Sequence, residues 1–151
     1  MTDRLDQLMA VMDASFDPHF REAWTRAQVA DSLALPTTFM MLMKADGATP
    51  SGAEEAAAFI LARRVLDEVE LLLIAVRPEH RRSGLATRML DAFFRRAVEM
   101  GATRVFLEVR ADNEARALYR QTGFEQIGQR PRYYCTDDGE HIDAITYGRT
   151  L

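Results

Sequence analysis

Residues 70–90 read "ELLLIAVRPEHRRSGLATRML", and how this stretch divides decides the fold. Leu71 to Val76 is apolar at every position, which suits a strand buried on both faces near the centre of a sheet. From Gly84 the pattern changes. Leu85, Met89, Phe93, Ala97 and Met100 recur every three or four residues, while Arg88, Asp91, Arg95 and Glu99 fall on the other side. That spacing predicts a helix over 84–100, with Gly101 as its stop. Between strand and helix stand Arg81, Arg82, Ser83 and Gly84. A helix start leaves about four backbone N–H groups without intrahelical partners, and its dipole favours negative charge. Gly84 and Ala86 are small enough to admit an anion, and the arginines add charge that pairs with phosphate oxygens. The junction suits a pyrophosphate, yet it carries neither the P-loop pattern nor the dinucleotide glycine fingerprint. On these residues alone, a plain turn flanked by solvated arginines reads equally well.

On the N-terminal side, Leu5, Leu8, Met9 and Met12 have helical spacing, with Thr2 or Asp3 as cap. "TRAQVADSL" predicts a second short helix capped by Thr25, and Pro36 closes that region. "TFMMLMKA" and "AAFILARRVL" read as strands joined by "DGATPSGAEEA", a surface hairpin connection whose length suggests mobility. On the C-terminal side, "RVFLEVR" predicts a strand and "NEARALYRQTG" a helix ending at Gly123. "FEQIGQRPRYYC" and "IDAITYGRTL" predict two closing strands around the turn "TDDGEH". The central strand–helix–strand unit implies a parallel pair and the flanking hairpins imply antiparallel neighbours. The class is mixed α/β.

At 151 residues the chain is expected to form a single domain, 1–151, with a core of its own. With 48% hydrophobic and 28% charged residues it reads as an ordinary soluble protein. A net charge of -4 argues against nucleic acid as the main partner. The N-terminus does not read as a secretory signal, and no window approaches the ~18 apolar residues that span a bilayer. A cytoplasmic location and no membrane partner are the expectations. Cys135 is the only cysteine, so no intramolecular disulfide can form; we read it as an ordinary thiol. His19, His80 and His141 lack metal-ligand spacing, and no metal is expected.

Two further residues carry chemistry. Glu108 lies inside "VFLEVR", where loss of hydration suits a general base. A solvated Glu at a strand end, or one paired with Arg110, is the alternative. Tyr119 sits in the following helix, where a Tyr either fills the core or donates a proton into a cleft. Trp24, Phe16 and Phe20, and the pair Tyr133 and Tyr134 in "PRYYC", either line a substrate groove or pack a strand.

Taken in order, these motifs resemble the GCN5-related N-acetyltransferases. Arg81-Arg82-Ser83-Gly84-Leu85-Ala86 resembles that family's acyl-coenzyme A signature, and "LEVRADNEARALYRQTGF" its second half. "GQRPRYYCTDDGEHIDAITY", "DEVELLLIAV" and Trp24 look like the branch that acetylates ribosomal-protein alanines. The likeness runs from about residue 20 to 148. It implies a twisted, mostly antiparallel sheet with a central parallel pair splayed around the cofactor and helices on both faces. It implies acetyl transfer from acetyl-CoA to a protein N-terminal α-amine by direct attack, with a ribosomal protein as acceptor. By matching positions, Glu108 resembles the proton acceptor and Tyr119 the proton donor. Ile74, Ala75 and Val76 look like the pantetheine-binding strand. Arg82 to Thr87 look like the pyrophosphate cradle, with Asn113 also facing coenzyme A. Trp24, Tyr133 and Tyr134 would meet the acceptor. One departure stands out: Asn113 lies six residues before Tyr119, one short of the family spacing, and one residue is ~100° of helix. A small-amine or lysine acceptor, or a non-catalytic acyl-CoA sensor, are the competing readings.

Overall fold

The computed structural model describes residues 3–16 and 23–151. Helices α1 (Arg4–Ser15) and α2 (Arg26–Leu33) precede strands β1 (Thr38–Met43), β2 (Ala58–Val65) and β3 (Glu68–Val76). Helix α3 (Leu85–Glu99), strand β4 (Arg104–Arg110), helix α4 (Arg116–Gln121) and strands β5 (Glu125–Cys135) and β6 (His141–Thr150) follow. The expected order of elements is therefore observed. Both N-terminal helices open with capping boxes, Asp3 with Asp6 and Thr25 with Gln28. Each box satisfies N–H groups that a helix start would otherwise leave open. Thr2, the other candidate cap, lies outside the described residues.

The six strands form one sheet in the order β1-β2-β3-β4-β6-β5. Only β3 and β4 are parallel; every other neighbouring pair is antiparallel. A parallel pair needs a long crossover, and α3 supplies it. Along β2 the side chains alternate between two cores. Ala58, Ile60 and Ala62 pack with Met89, Phe93 and Ala97 of α3. Phe59 and Leu61 pack with Leu8, Val11 and Met12 of α1. Helices thus cover both faces of the sheet.

Three expectations need adjustment. The β3 segment lies inside the sheet as predicted, but Leu72, Leu73 and Ile74 are only half-buried. The cause is that β3 pairs with β4 only from Glu68 to Glu70. Second, α4 is shorter than predicted. It begins at Arg116, after a tight turn in which Arg116 N donates to Asn113 O at 3.2 Å and Asn113 Oδ1 accepts from Ala115 N at 2.8 Å. Third, the β1–β2 connection is tied down. Gln7 Oε1 accepts from Ala56 N at 2.9 Å, Lys44 Nζ meets Glu54 Oε2 at 2.7 Å, and Arg88 Nη2 donates to Asp46 O at 3.1 Å.

Candidate active site

The parting of β3 from β4 makes the principal cleft, of about 610 Å³. After Glu70 the two strands share no ladder, and a register shift opposite Leu61 and Ala62 inserts Leu72 as an extra residue in β3. A bulge of this kind bends and twists its strand. Arg77 N donates to Ala57 O at 2.8 Å. Alternation along an antiparallel pair then turns the N–H and C=O groups of Ile74 and Val76 away from β2, toward the cleft. One wall is therefore a strand edge offering main-chain donors.

The floor comes from α3. Its N-cap, Gly84, has φ 79 and lends no side-chain hydrogen bond. Leu85, Ala86 and Thr87 occupy the first turn, where N–H groups have no intrahelical partner. Left-handed geometry favours glycine, and Arg82 also has a positive φ, of 60. Leu85 is 2% exposed and its side chain belongs to the core. Arg81, expected as a phosphate partner, also bonds the main chain. Its Nε donates to Val76 O at 3.1 Å and its Nη2 to Ser15 O at 2.9 Å. It fastens the end of α1 to the end of β3.

The opposite wall is Arg110, Asp112 to Ala115, Leu118 and Tyr119. Tyr119 is 5% exposed and packs on Phe124 and Tyr147, with ring centroids 5.7 and 6.1 Å away. It is both a core residue and a lining residue. Of the residues singled out in the sequence, Phe16, Ile74, Ala75, Val76, Arg81, Ala86, Asn113 and Tyr119 line this cleft. Arg82, Ser83, Gly84, Leu85, Thr87, Glu108, Trp24, Tyr133 and Tyr134 do not.

Glu108 stands beside the cleft on the other side of β4 from the α3 core. Val105, Leu107 and Val109 enter that core, so alternation puts Glu108 and Arg110 together on the opposite face. Glu108 Oε1 meets Arg130 Nη2 of β5 at 2.9 Å. Its Oε2 is buried and has no hydrogen-bond partner among the described residues. An unpaired buried acceptor costs about 1–3 kcal/mol and marks a place where a donor would be welcome. The Arg130 guanidinium lies 5.1 Å from the centre of the Tyr133 ring, which meets Tyr134 edge-on at 5.2 Å. A register shift between Arg130 and Tyr134 bulges this part of β5. Asp143 holds the bulge: its carboxylate accepts from Arg132 N at 2.8 Å and Gln129 Nε2 at 2.6 Å. The first of these bonds, then the second, pulls the Asp143 carboxyl below its ordinary range. Trp24 and Phe16 pack half-buried on the α1 core, on the Glu108 face. Phe20 and His19 lie outside the described residues.

Sequence reading missed Arg130 and Asp143, and treated Arg110 only as a partner for Glu108. In the structure Arg110 pairs with Asp112 at 2.9 Å. A Glu inside an otherwise apolar strand was the available signal that a cation would approach it.

A mixed sheet whose one parallel pair parts over an uncapped helix start, with Tyr119 in the cleft wall, is an α/β fold with a cleft suited to an anionic ligand. The chain matches the model of the Acetyltransferase (GNAT) family over residues 7–124 and belongs to that family. It is 42% identical over 90 residues to the ribosomal protein bS18 alanine N-acetyltransferase of Escherichia coli strain K12, covering 59% of this chain. The match spans 60% of that relative's length. The crystal structure of the ribosomal-protein-S18-alanine N-acetyltransferase from Escherichia coli superposes with TM-score 0.78 at 28% identity, covering 99% of this chain and 90% of that one. Ard1 from Thermoplasma volcanium also gives TM-score 0.78, at 27% identity over 100% and 95% of the two chains. No helix among the described residues is long and apolar enough to cross a membrane.

Proposed function

We propose that residues 1–151 act as one catalytic domain that acetylates the α-amine of a protein N-terminus, with acetyl-CoA as donor and an alanine of a ribosomal protein as acceptor. The observation that carries this reading is the buried, unpartnered Oε2 of Glu108, on β4 just beyond the point where β3 and β4 part. The cleft fits the donor on physical grounds. The α3 first turn offers N–H groups with no capping side chain, as a diphosphate requires. The β3 edge at Ile74 and Val76 offers N–H groups where an amide-bearing arm can pair as an added strand. The bound donor would supply an activated acetyl thioester.

In this reading Glu108 takes a proton from the acceptor ammonium, within hydrogen-bond reach or across one water. The amine forms its bond to the acetyl carbon as the carbon–sulfur bond breaks. The Val76 N–H stabilises the developing oxyanion, Tyr119 gives its phenolic proton to the leaving thiolate, and the second proton that nitrogen loses as the amide forms passes through solvent to reprotonate Tyr119. Asn113 shapes the wall next to Tyr119. Trp24, Tyr133 and Tyr134 guide the acceptor chain.

The likeness to the alanine N-acetyltransferases supports a peptide acceptor over a small amine or lysine. The test is turnover of acetyl-CoA with Ala-starting peptides, lysine peptides blocked at the N-terminus, small amines and no acceptor. Acetylation of the Ala α-amine alone is expected. Turnover only on small amines or lysine would replace the acceptor. Tight coenzyme A binding without any turnover would make the protein a sensor.

A further inference from the structure

Glu108 is not held by its own strand neighbours but from the far edge of the sheet. It faces Thr146 of β6, and Arg130 of β5 faces Ala144 of the same strand. The guanidinium therefore reaches back over β6 to the carboxylate, at 2.9 Å to Oε1. Its side chain is 58% exposed against 21% for Glu108. Arg130 is thus the solvent-side member of the pair, and Tyr133 supports it from beneath. A cation against a ring face is held by the ring's quadrupole. The register shift between Arg130 and Tyr134, fixed by Asp143, puts this ring there.

We infer that Arg130 is the positioning residue for the proton acceptor: it fixes Glu108 by Oε1 so that Oε2 alone takes the proton of the acceptor amine. This rests on the reading of Glu108 as base. A carboxylate with one oxygen held has one remaining productive orientation; without Arg130 it is free to rotate. The nearest competing cation on its own strand is Arg110, two residues on and on the same face. Arg110 is 8% exposed and pairs with Asp112. Arg130 keeps Glu108 turned to the acceptor side instead of along β4 toward Arg110. Arg130 touches neither reacting atom in this scheme, so its effect must pass through Glu108.

The experiment is a double-mutant cycle in steady-state turnover of an Ala-starting peptide, with acetyl-CoA affinity measured by calorimetry and folding by thermal melting. Arg130→Ala is expected to lower kcat by up to about a hundredfold, the size of a misplaced catalytic group, with acetyl-CoA affinity and melting unchanged. Arg130→Lys, which keeps the charge but loses the fork, is expected to recover part of the rate. In a Glu108→Gln background, Arg130→Ala is expected to have no further effect, because groups acting as a unit are not additive. An unchanged kcat in Arg130→Ala overturns the inference, as does an equal loss in both backgrounds. If Glu108→Gln alone keeps the wild-type rate, the assignment of the base falls, and that result is distinct from either of the others.

Discussion

On the proposed function, the donor side and the acceptor side of this molecule are built in different ways. The donor side is main chain: a strand edge freed by a bulge, a glycine in left-handed geometry and an uncapped helix turn. The acceptor side is side chain: Glu108 from β4, Arg130 and Tyr133 from β5, and Asp143 from β6, joined across 36 residues of sequence. A main-chain site tolerates most substitutions that leave the backbone in place. A side-chain relay fails when one member is removed. The difference predicts that mutations will separate cleanly into those that weaken donor binding and those that slow transfer to the acceptor.

The largest separation should come from Tyr119→Phe. The ring contacts with Phe124 and Tyr147 are kept, while the proposed proton donor is lost. General acid catalysis is worth roughly 10²–10⁴ in rate, so kcat should fall by at least about 10² with acetyl-CoA affinity held. An unchanged kcat would return Tyr119 to the core alone. Gly84→Val tests the other side. A Cβ at Gly84 meets no heavy atom within 4 Å, so any loss of affinity reflects the ligand and the φ of 79. Each charge-assisted hydrogen bond lost costs roughly 1.5–3 kcal/mol, about ten- to hundredfold in Kd. Calorimetry with coenzyme A should show a loss in that range, and wild-type affinity would remove the helix start from the donor site.

Tyr133→Ala should act more weakly. It removes the ring beneath Arg130, and ring contacts of this kind are worth about 0.5–1 kcal/mol at exposed sites. A few-fold fall in kcat is expected, with coenzyme A binding unmoved; Tyr133→Phe should be neutral. The smallest effect lies away from both sides. The Lys44 ammonium, then the main chain and hydroxyl of Ser51, hold the Glu54 carboxyl at about 2, down from 4.5. A lowered folded-state value means the stabilisation is present above pH 4.5 and is lost as pH falls toward 2. Glu54→Gln should flatten the acid-melting profile in that window and leave neutral-pH turnover intact. Because Glu54 is exposed and screened, the change should be slight.

The same contrast explains what the sequence reveals. The donor side is legible because it is local. Leu71 to Val76 and the helix from Leu85 are adjacent in the chain, and their periodicities name the strand, the helix and the junction between them. The parallel pairing of β3 with β4 follows from the intervening helix. The acceptor side is not local. Nothing in "GQRPRYYC" says that Arg130 reaches Glu108, since that depends on β6 lying between β4 and β5. The bulge that aims Tyr133 depends on Asp143 from the partner strand. Arg81 shows the limit within the local region: its charge is visible in sequence, but its use on the carbonyls of Val76 and Ser15 needs α1 in place. The shortened first turn of α4 is likewise set by the Asn113 side chain bonding to Ala115 N, a turn that helical periodicity cannot distinguish from helix.

The central claim is that donor binding and proton removal belong to separate parts of the site, with Glu108 serving only the second. The most direct measurement is made on one preparation of Glu108→Gln: acetyl-CoA affinity by calorimetry, and turnover of an Ala-starting peptide. The predicted result is unchanged affinity with a rate roughly 10²–10⁴ lower. A preserved rate, or an affinity lost together with the rate, would contradict it.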